Sequence, residues 1–115
     1  MSVARQDSLA LRIDPDHSCV WIGTQRVVLR PTPFAILYYL MEHAGRLVSK
    51  EDVLHAVWPG TRVSSTVLKA YIQQLRKALG DDAKAPRFIE TVQRRGYRFI
   101  GIVVRSPLSP PAPNP

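Results

Sequence analysis

The chain has 115 residues, 45% of them hydrophobic, which suits one domain built around one core. One cysteine (Cys19) and three scattered histidines exclude a disulfide framework and a cysteine-based zinc site, so neither a metal nor another cofactor is expected. The net charge is +7 and unevenly placed: residues 1–61 carry six basic and six acidic side chains, whereas residues 62–98 carry nine basic and three acidic. A surface with that bias attracts polyanions.

Near the N-terminus, Leu9, Leu11 and Ile13 alternate with Ala10, Arg12 and Asp14, the period of a strand with one buried face. Asp14-Pro15-Asp16 marks a turn, Cys19-Val20-Trp21-Ile22 a second strand, and Gly23-Thr24 a turn into Val27-Val28-Leu29. These segments predict a small antiparallel meander. The period then changes. Thr32 is placed to cap a helix with Pro33 in its first turn, and Phe34, Leu37, Tyr38 and Met41 form its apolar stripe. Ser49 opens a second helix, with Asp52 at the capping-box position and Val53, Leu54, Val57 and Trp58 on its apolar side.

The third helix runs from about Ser64 to Gly80. At 100° per residue, Val67, Leu68, Tyr71, Ile72, Leu75 and Leu79 share one arc. The opposite side carries Thr66, Lys69, Gln73 and Lys77, with Ala70 and Gln74 nearby, and no acidic side chain. Solvated helix faces usually mix both signs, so this one suits an anionic partner. After the polar connection Asp81–Pro86, two strand-like runs, Phe88–Val92 and Tyr97–Ile100, flank Gln93-Arg94-Arg95-Gly96. Gly96 is expected to supply positive φ in a tight hairpin that carries two arginines at its tip. Trp21, Trp58, Tyr71 and Tyr97 are assigned to core faces, Cys19 to a small buried site, and Asp81-Asp82 to a solvated turn.

A helix, a turn, a basic helix and then a basic-tipped hairpin is the order of a winged helix-turn-helix. In that fold the basic helix fills the major groove, where amides read adenine edges and cations reach guanine or phosphate. An enzyme such as a nuclease would need clustered acidic metal ligands, and the basic segment has too few acids for that. A protein-interaction module with an acidic partner is the other alternative. A salt-sensitive shift with duplex DNA separates it from DNA binding.

Four stretches resemble the OmpR/PhoB-type winged-helix DNA-binding domain of bacterial transcription regulators. They are Leu29–Leu37 at the first helix, Leu47–Leu54 with Val57-Trp58 at the second, Val67–Leu79 in the third, and Ile89–Val92 followed by Gly96–Phe99. Their order and spacing span residues 9–101. The resemblance implies an α+β fold: a winged helix-turn-helix with an N-terminal antiparallel sheet, a three-helix core and a C-terminal β-hairpin wing. It also implies sequence-specific binding of double-stranded DNA for transcription regulation, without enzymatic activity. Contacts are expected from Thr66, Lys69, Ala70, Gln73 and Gln74, with Arg76 and Lys77 on phosphate and Thr91, Gln93, Arg94 and Arg95 from the wing.

The loop Pro59–Val63 is implied to contact either DNA or RNA polymerase. Pairing of copies is implied to be weak and head-to-tail on DNA, with a monomer in solution. Family members often carry arginines where Gln73 and Gln74 stand and a glycine where Arg94 stands. The expected organisation is a DNA-binding domain over residues 1–105 and a proline-rich linker over 106–115, forming the N-terminal module of a larger signal-responsive regulator. No apolar run approaches the roughly 18 residues of a membrane span, and Met1–Asp7 lacks a secretory signal's apolar stretch. A cytoplasmic location at the nucleoid is therefore expected.

Overall fold

The structure, a computed structural model, describes residues 10–105. Leu9 of the expected first strand and the Ser106–Pro115 linker lie outside the described residues. The first half contains strands β1 (Ala10–Asp14), β2 (Cys19–Ile22) and β3 (Gln25–Val28), helix α1 (Pro31–Glu42), strand β4 (Val48–Ser49) and helix α2 (Lys50–Val57). Helix α3 (Ser65–Leu79) and strands β5 (Ile89–Val92), β6 (Gly96–Phe99) and β7 (Ile102–Arg105) complete it.

Alternation in β1 works as its sequence requires: Leu11 and Ile13 are buried, while Ala10, Arg12 and Asp14 take the other face. The antiparallel meander β1–β2–β3 forms, with Ile13 opposite Val20 and Val20 opposite Val27. Strand β7 then joins this sheet parallel to β1, giving the order β3-β2-β1-β7. Four residues are too few to show a strand period, so only the pairing reveals β7. Val103 packs on the core, while Ile102 and Val104 stay exposed. Trp21 corrects its core assignment. It pairs with Arg12 on the outer face of the sheet, where the guanidinium lies 5.4 Å from its ring centroid.

Helix α1 begins at Pro31, with Arg30 as its N-cap, rather than at the expected Thr32 cap. Pro31 and Pro33 both fall in the first turn, where the backbone N–H groups have no intrahelical partner to lose. The two later helices are capped as their sequences indicate. Ser49 Oγ accepts from the Asp52 N–H at 3.0 Å, and Ser64 Oγ accepts from the Val67 N–H at 3.3 Å. Gly80 ends α3 at φ +69 in the left-handed region.

All three helices spend their apolar sides on one core. Phe34, Leu37 and Leu40 of α1, Val53 of α2 and Leu68, Ile72 and Leu75 of α3 meet Leu11 and Val20 of the sheet. Phe88, Ile89, Tyr97 and Phe99 extend that core into the hairpin. Trp58 and Tyr71 pack at its edge, 5.8 Å apart. Val67 leaves the expected stripe and is 41% exposed.

The hairpin is anchored twice. Strand β6 lies between β5 and the short β4, with Tyr97 opposite Val48. At Gly96, β4 comes so close that a Cβ would collide with the Val48 carbonyl oxygen and reach 2.9 Å from Ser49 Cα. Glycine is therefore required there for the approach of another strand, whereas the left-handed turn residue is Arg94, at φ +66. Asp81 is the second anchor and no solvated turn. Its carboxylate accepts from the N–H groups of Asp82, Arg87, Phe88 and Ile89 at 2.7–3.2 Å. One side chain thus closes the connection from α3 to β5. Asp81→Ala is expected to destabilise the fold by about 1–3 kcal/mol, because it strands buried donors. Urea unfolding followed by tryptophan fluorescence measures that loss.

Candidate nucleic-acid interface

Helix α3 has no internal glycine or proline and is capped at both ends, so its outer face is held as a rigid platform. Thr66, Lys69, Ala70, Gln73, Gln74 and Lys77 are all exposed on it. Beside this platform, α3 and the β5–β6 hairpin enclose an open groove of about 720 Å³. Lys69, Gln73 and Lys77 line it from the helix, and Thr91, Gln93 and Arg94 line it from the hairpin. Lys50, at the start of α2, contributes a cation that the sequence reading missed. Its only sequence signal was a basic residue directly after a cap. Asp81 and Asp82 also line the groove.

The structure divides the expected contact residues. Seven of them (Lys69, Gln73, Arg76, Lys77, Thr91, Gln93 and Arg94) line the groove. Thr66, Ala70 and Gln74 occupy the open helix face, and Arg95 stands exposed beside the hairpin turn. The exposed loop from Pro59 to Arg62 connects α2 to α3.

Arg76 departs from its expected role on phosphate. It is only 8% exposed, and its guanidinium donates to the Ile89 carbonyl oxygen at 2.9 Å and to Thr91 Oγ1 at 2.7 Å. A helical residue at that angle points between the helix and the hairpin, so its charge is used to join them. Thr91 is correspondingly engaged through its hydroxyl. Burial pushes the neighbouring Tyr97 phenol above the ordinary tyrosine range, and the Arg76 charge draws it partly back.

Two more basic residues are paired internally. Arg98 meets Glu90 across the hairpin at 3.2 Å, and Arg87 donates to the Gly80 carbonyl oxygen at 2.8 Å. Arg62, Lys69, Lys77, Lys84, Arg94 and Arg95 remain exposed. The hairpin turn closes through the Arg95 N–H to the Val92 carbonyl oxygen at 2.9 Å, with Arg94 in its third position. Left-handed backbone costs a non-glycine residue about 1–2 kcal/mol, so this turn carries strain in order to present an arginine.

Comparison with known proteins agrees with this geometry. The family model described as the C-terminal domain of transcriptional regulatory proteins matches residues 24–99. The transcriptional regulator HilA of Salmonella typhi is 42% identical over 91 residues, covering 79% of this chain and 16% of that protein. The phosphate regulon regulator PhoB of Escherichia coli is 36% identical over 91 residues, covering 77% of this chain and 39% of PhoB. The chain therefore spans well under half the length of these relatives. Among solved structures, the Klebsiella pneumoniae RstA DNA-binding domain in complex with the RstA box superposes with a TM-score of 0.69 and 33% identity. That match covers 76% of this chain and 88% of the RstA domain. The DNA-binding domain of E. coli CadC gives a TM-score of 0.68 at 27% identity, over 77% of this chain and 84% of the CadC domain. With its paired sheets, its three helices and a basic helix facing a basic hairpin, this chain belongs to the OmpR/PhoB-type winged-helix family of DNA-binding domains from bacterial transcription regulators.

Proposed function

We propose that this domain reads a specific double-stranded DNA sequence with α3 in the major groove, while the β5–β6 wing lies along the adjacent backbone or minor groove. The groove carries this reading. Cations from three separate elements (Lys50, Lys69, Lys77 and Arg94) line one channel beside a helix that has no acid on its outer face. Salt-dependent attraction to phosphate follows from such a channel, and sequence discrimination follows from the amides exposed next to it. Thr66, Lys69, Ala70, Gln73 and Gln74 take the base-facing role. Lys77, Gln93, Arg94 and Arg95 hold the backbone, and Arg76 with Thr91 fixes the wing against the helix. The RstA domain, solved in complex with the RstA box, supports DNA binding by likeness.

The remaining parts of the proposal concern the larger protein. The domain serves as the DNA-binding module of a larger signal-responsive regulator, acting in the cytoplasm at the nucleoid. The Pro59–Val63 loop, exposed from Pro59 to Arg62, contacts DNA or RNA polymerase.

Replacing Gln73 with alanine is expected to cost about 1–3 kcal/mol on the preferred site and to relax specificity at one position. Selection of bound duplexes from a random pool checks it. Unchanged sites after Gln73→Ala and Lys69→Ala would remove α3 as the reader. Arg94→Ala combined with Arg95→Ala should weaken all duplexes by similar factors and lower the salt slope by about one to two units. Titrations between low and moderate salt measure that slope, and an unaltered value would turn the wing tip away from DNA.

The three helices leave no spare apolar face for a strong symmetric dimer, so a monomer is expected in free solution. Weak head-to-tail pairing then arises on DNA carrying two half-sites, which raises the local concentration of the second copy. Sedimentation without DNA, followed by binding to single and paired half-sites, tests this. A stable free dimer, or equal per-site affinity on both duplexes, would contradict it.

A further inference from the structure

The bases that α3 is equipped to read follow from what its exposed surface contains and from what the fold has withdrawn from it. The commonest specific contact in the major groove is an arginine or a lysine on guanine O6 and N7, and only arginine brings a planar fork to it. Arg76 is the only arginine in α3, and it is buried and bound to Ile89 and Thr91 of the wing. The outer face is thereby left without a guanidinium.

Besides Thr66, Lys69 and Lys77, two kinds of group remain exposed on the helix. Gln73 and Gln74 present amides, which pair in bidentate fashion with adenine N6 and N7. Val67 and Ala70 present methyl groups. Val67 is 41% exposed and Ala70 is exposed, although an aliphatic side chain gains nothing from facing water. The spacing 67, 70, 74 is i, i+3, i+7, so Val67, Ala70 and Gln74 form one stripe along the helix. It adjoins the stripe of Thr66, Ala70, Gln73 and Lys77. Lys69 and Lys77 line the groove beside these stripes, and an ammonium there can donate to adenine N7 or thymine O4 as well as to phosphate.

Methyl groups alternating with amides match one chemistry in the major groove: the C5-methyl of thymine beside the N6/N7 edge of adenine. We infer that the stretch of DNA read by α3 is made of A·T pairs, with Val67 and Ala70 packing on thymine methyls and Gln73 and Gln74 bonding adenine edges. This inference rests on α3 being the reader.

The test uses the full 115-residue chain. Sites are first selected from a random duplex pool by the wild type and by Val67→Ser, Ala70→Ser and Gln74→Ala, each variant having been checked for unaltered thermal unfolding. The positions whose base preference changes in the variants mark the stretch under α3, and A·T pairs are expected there. Thymines in that stretch are then replaced one at a time by uracil, which removes the methyl and leaves base pairing and the minor-groove edge intact. The wild type should lose about fourfold in affinity at each thymine covered by Val67 or Ala70, the effect of about one buried methyl. The corresponding serine variant should be indifferent to the same replacement.

G·C pairs at the variant-sensitive positions would overturn the inference while leaving α3 as the reader. Uracil duplexes bound as tightly as thymine duplexes would overturn the methyl contacts and assign any A·T preference to groove shape. Selected sites that no α3 variant alters would overturn this inference together with the reading beneath it.

Discussion

Everything the groove can do depends on the buried hydrogen bonds from Arg76 to β5. A recognition helix and a wing are separate elements joined by a nine-residue connection between Leu79 and Ile89. Apolar packing alone would hold them together without fixing their angle. The Arg76 guanidinium donates to the Ile89 carbonyl oxygen and to Thr91 Oγ1, which ties the last turn of α3 to β5. A buried charge tolerates displacement poorly, because a moved partner leaves it desolvated and unpaired. The spacing between Lys69 and Lys77 on one wall and Arg94 on the other is set by that tie. Asp81 works alongside it by gathering four backbone donors of the connection onto one carboxylate.

The basic segment thus divides its charge between construction and recognition. Of the nine basic residues in 62–98, Arg76, Arg87 and Arg98 bond within the fold, and the other six are exposed. Composition counts all nine alike. Their different uses have a consequence for chemistry: the outward set on α3 is lysine, a compact point charge, whereas the planar fork of arginine stands in internal geometry, in the α2–α3 loop and at the wing tip.

Strain and close approach occur next to each other in the hairpin. Gly96 is held where β4 leaves no room for a side chain, and two residues earlier Arg94 adopts the left-handed conformation that glycine would take more easily. Exchanging the two residue types would relieve the turn and break the sheet. The present arrangement keeps β6 seated between β4 and β5 and leaves a cation at the turn.

The sequence by itself determined the meander, the three helices, two of their caps, the wing and the outward set Thr66, Lys69, Ala70, Gln73, Gln74 and Lys77. Each of these is a local property: a period of 2 or 3.6 residues, a serine three positions before a backbone donor, a glycine at a helix end. Tertiary structure decided the features that depend on a partner distant in sequence. The parallel pairing of β7 with β1 needed the whole domain between them. The helical wheel gave Arg76 no partner, but β5 supplied two acceptors 13 and 15 residues away. Val67 sat within the apolar arc by angle and is left 41% exposed among the described residues. Trp21 read as core from its spacing in the chain, yet the register of β1 against β2 turned it outward onto Arg12. Local patterns fix which residues share a face, and only packing decides which faces are covered.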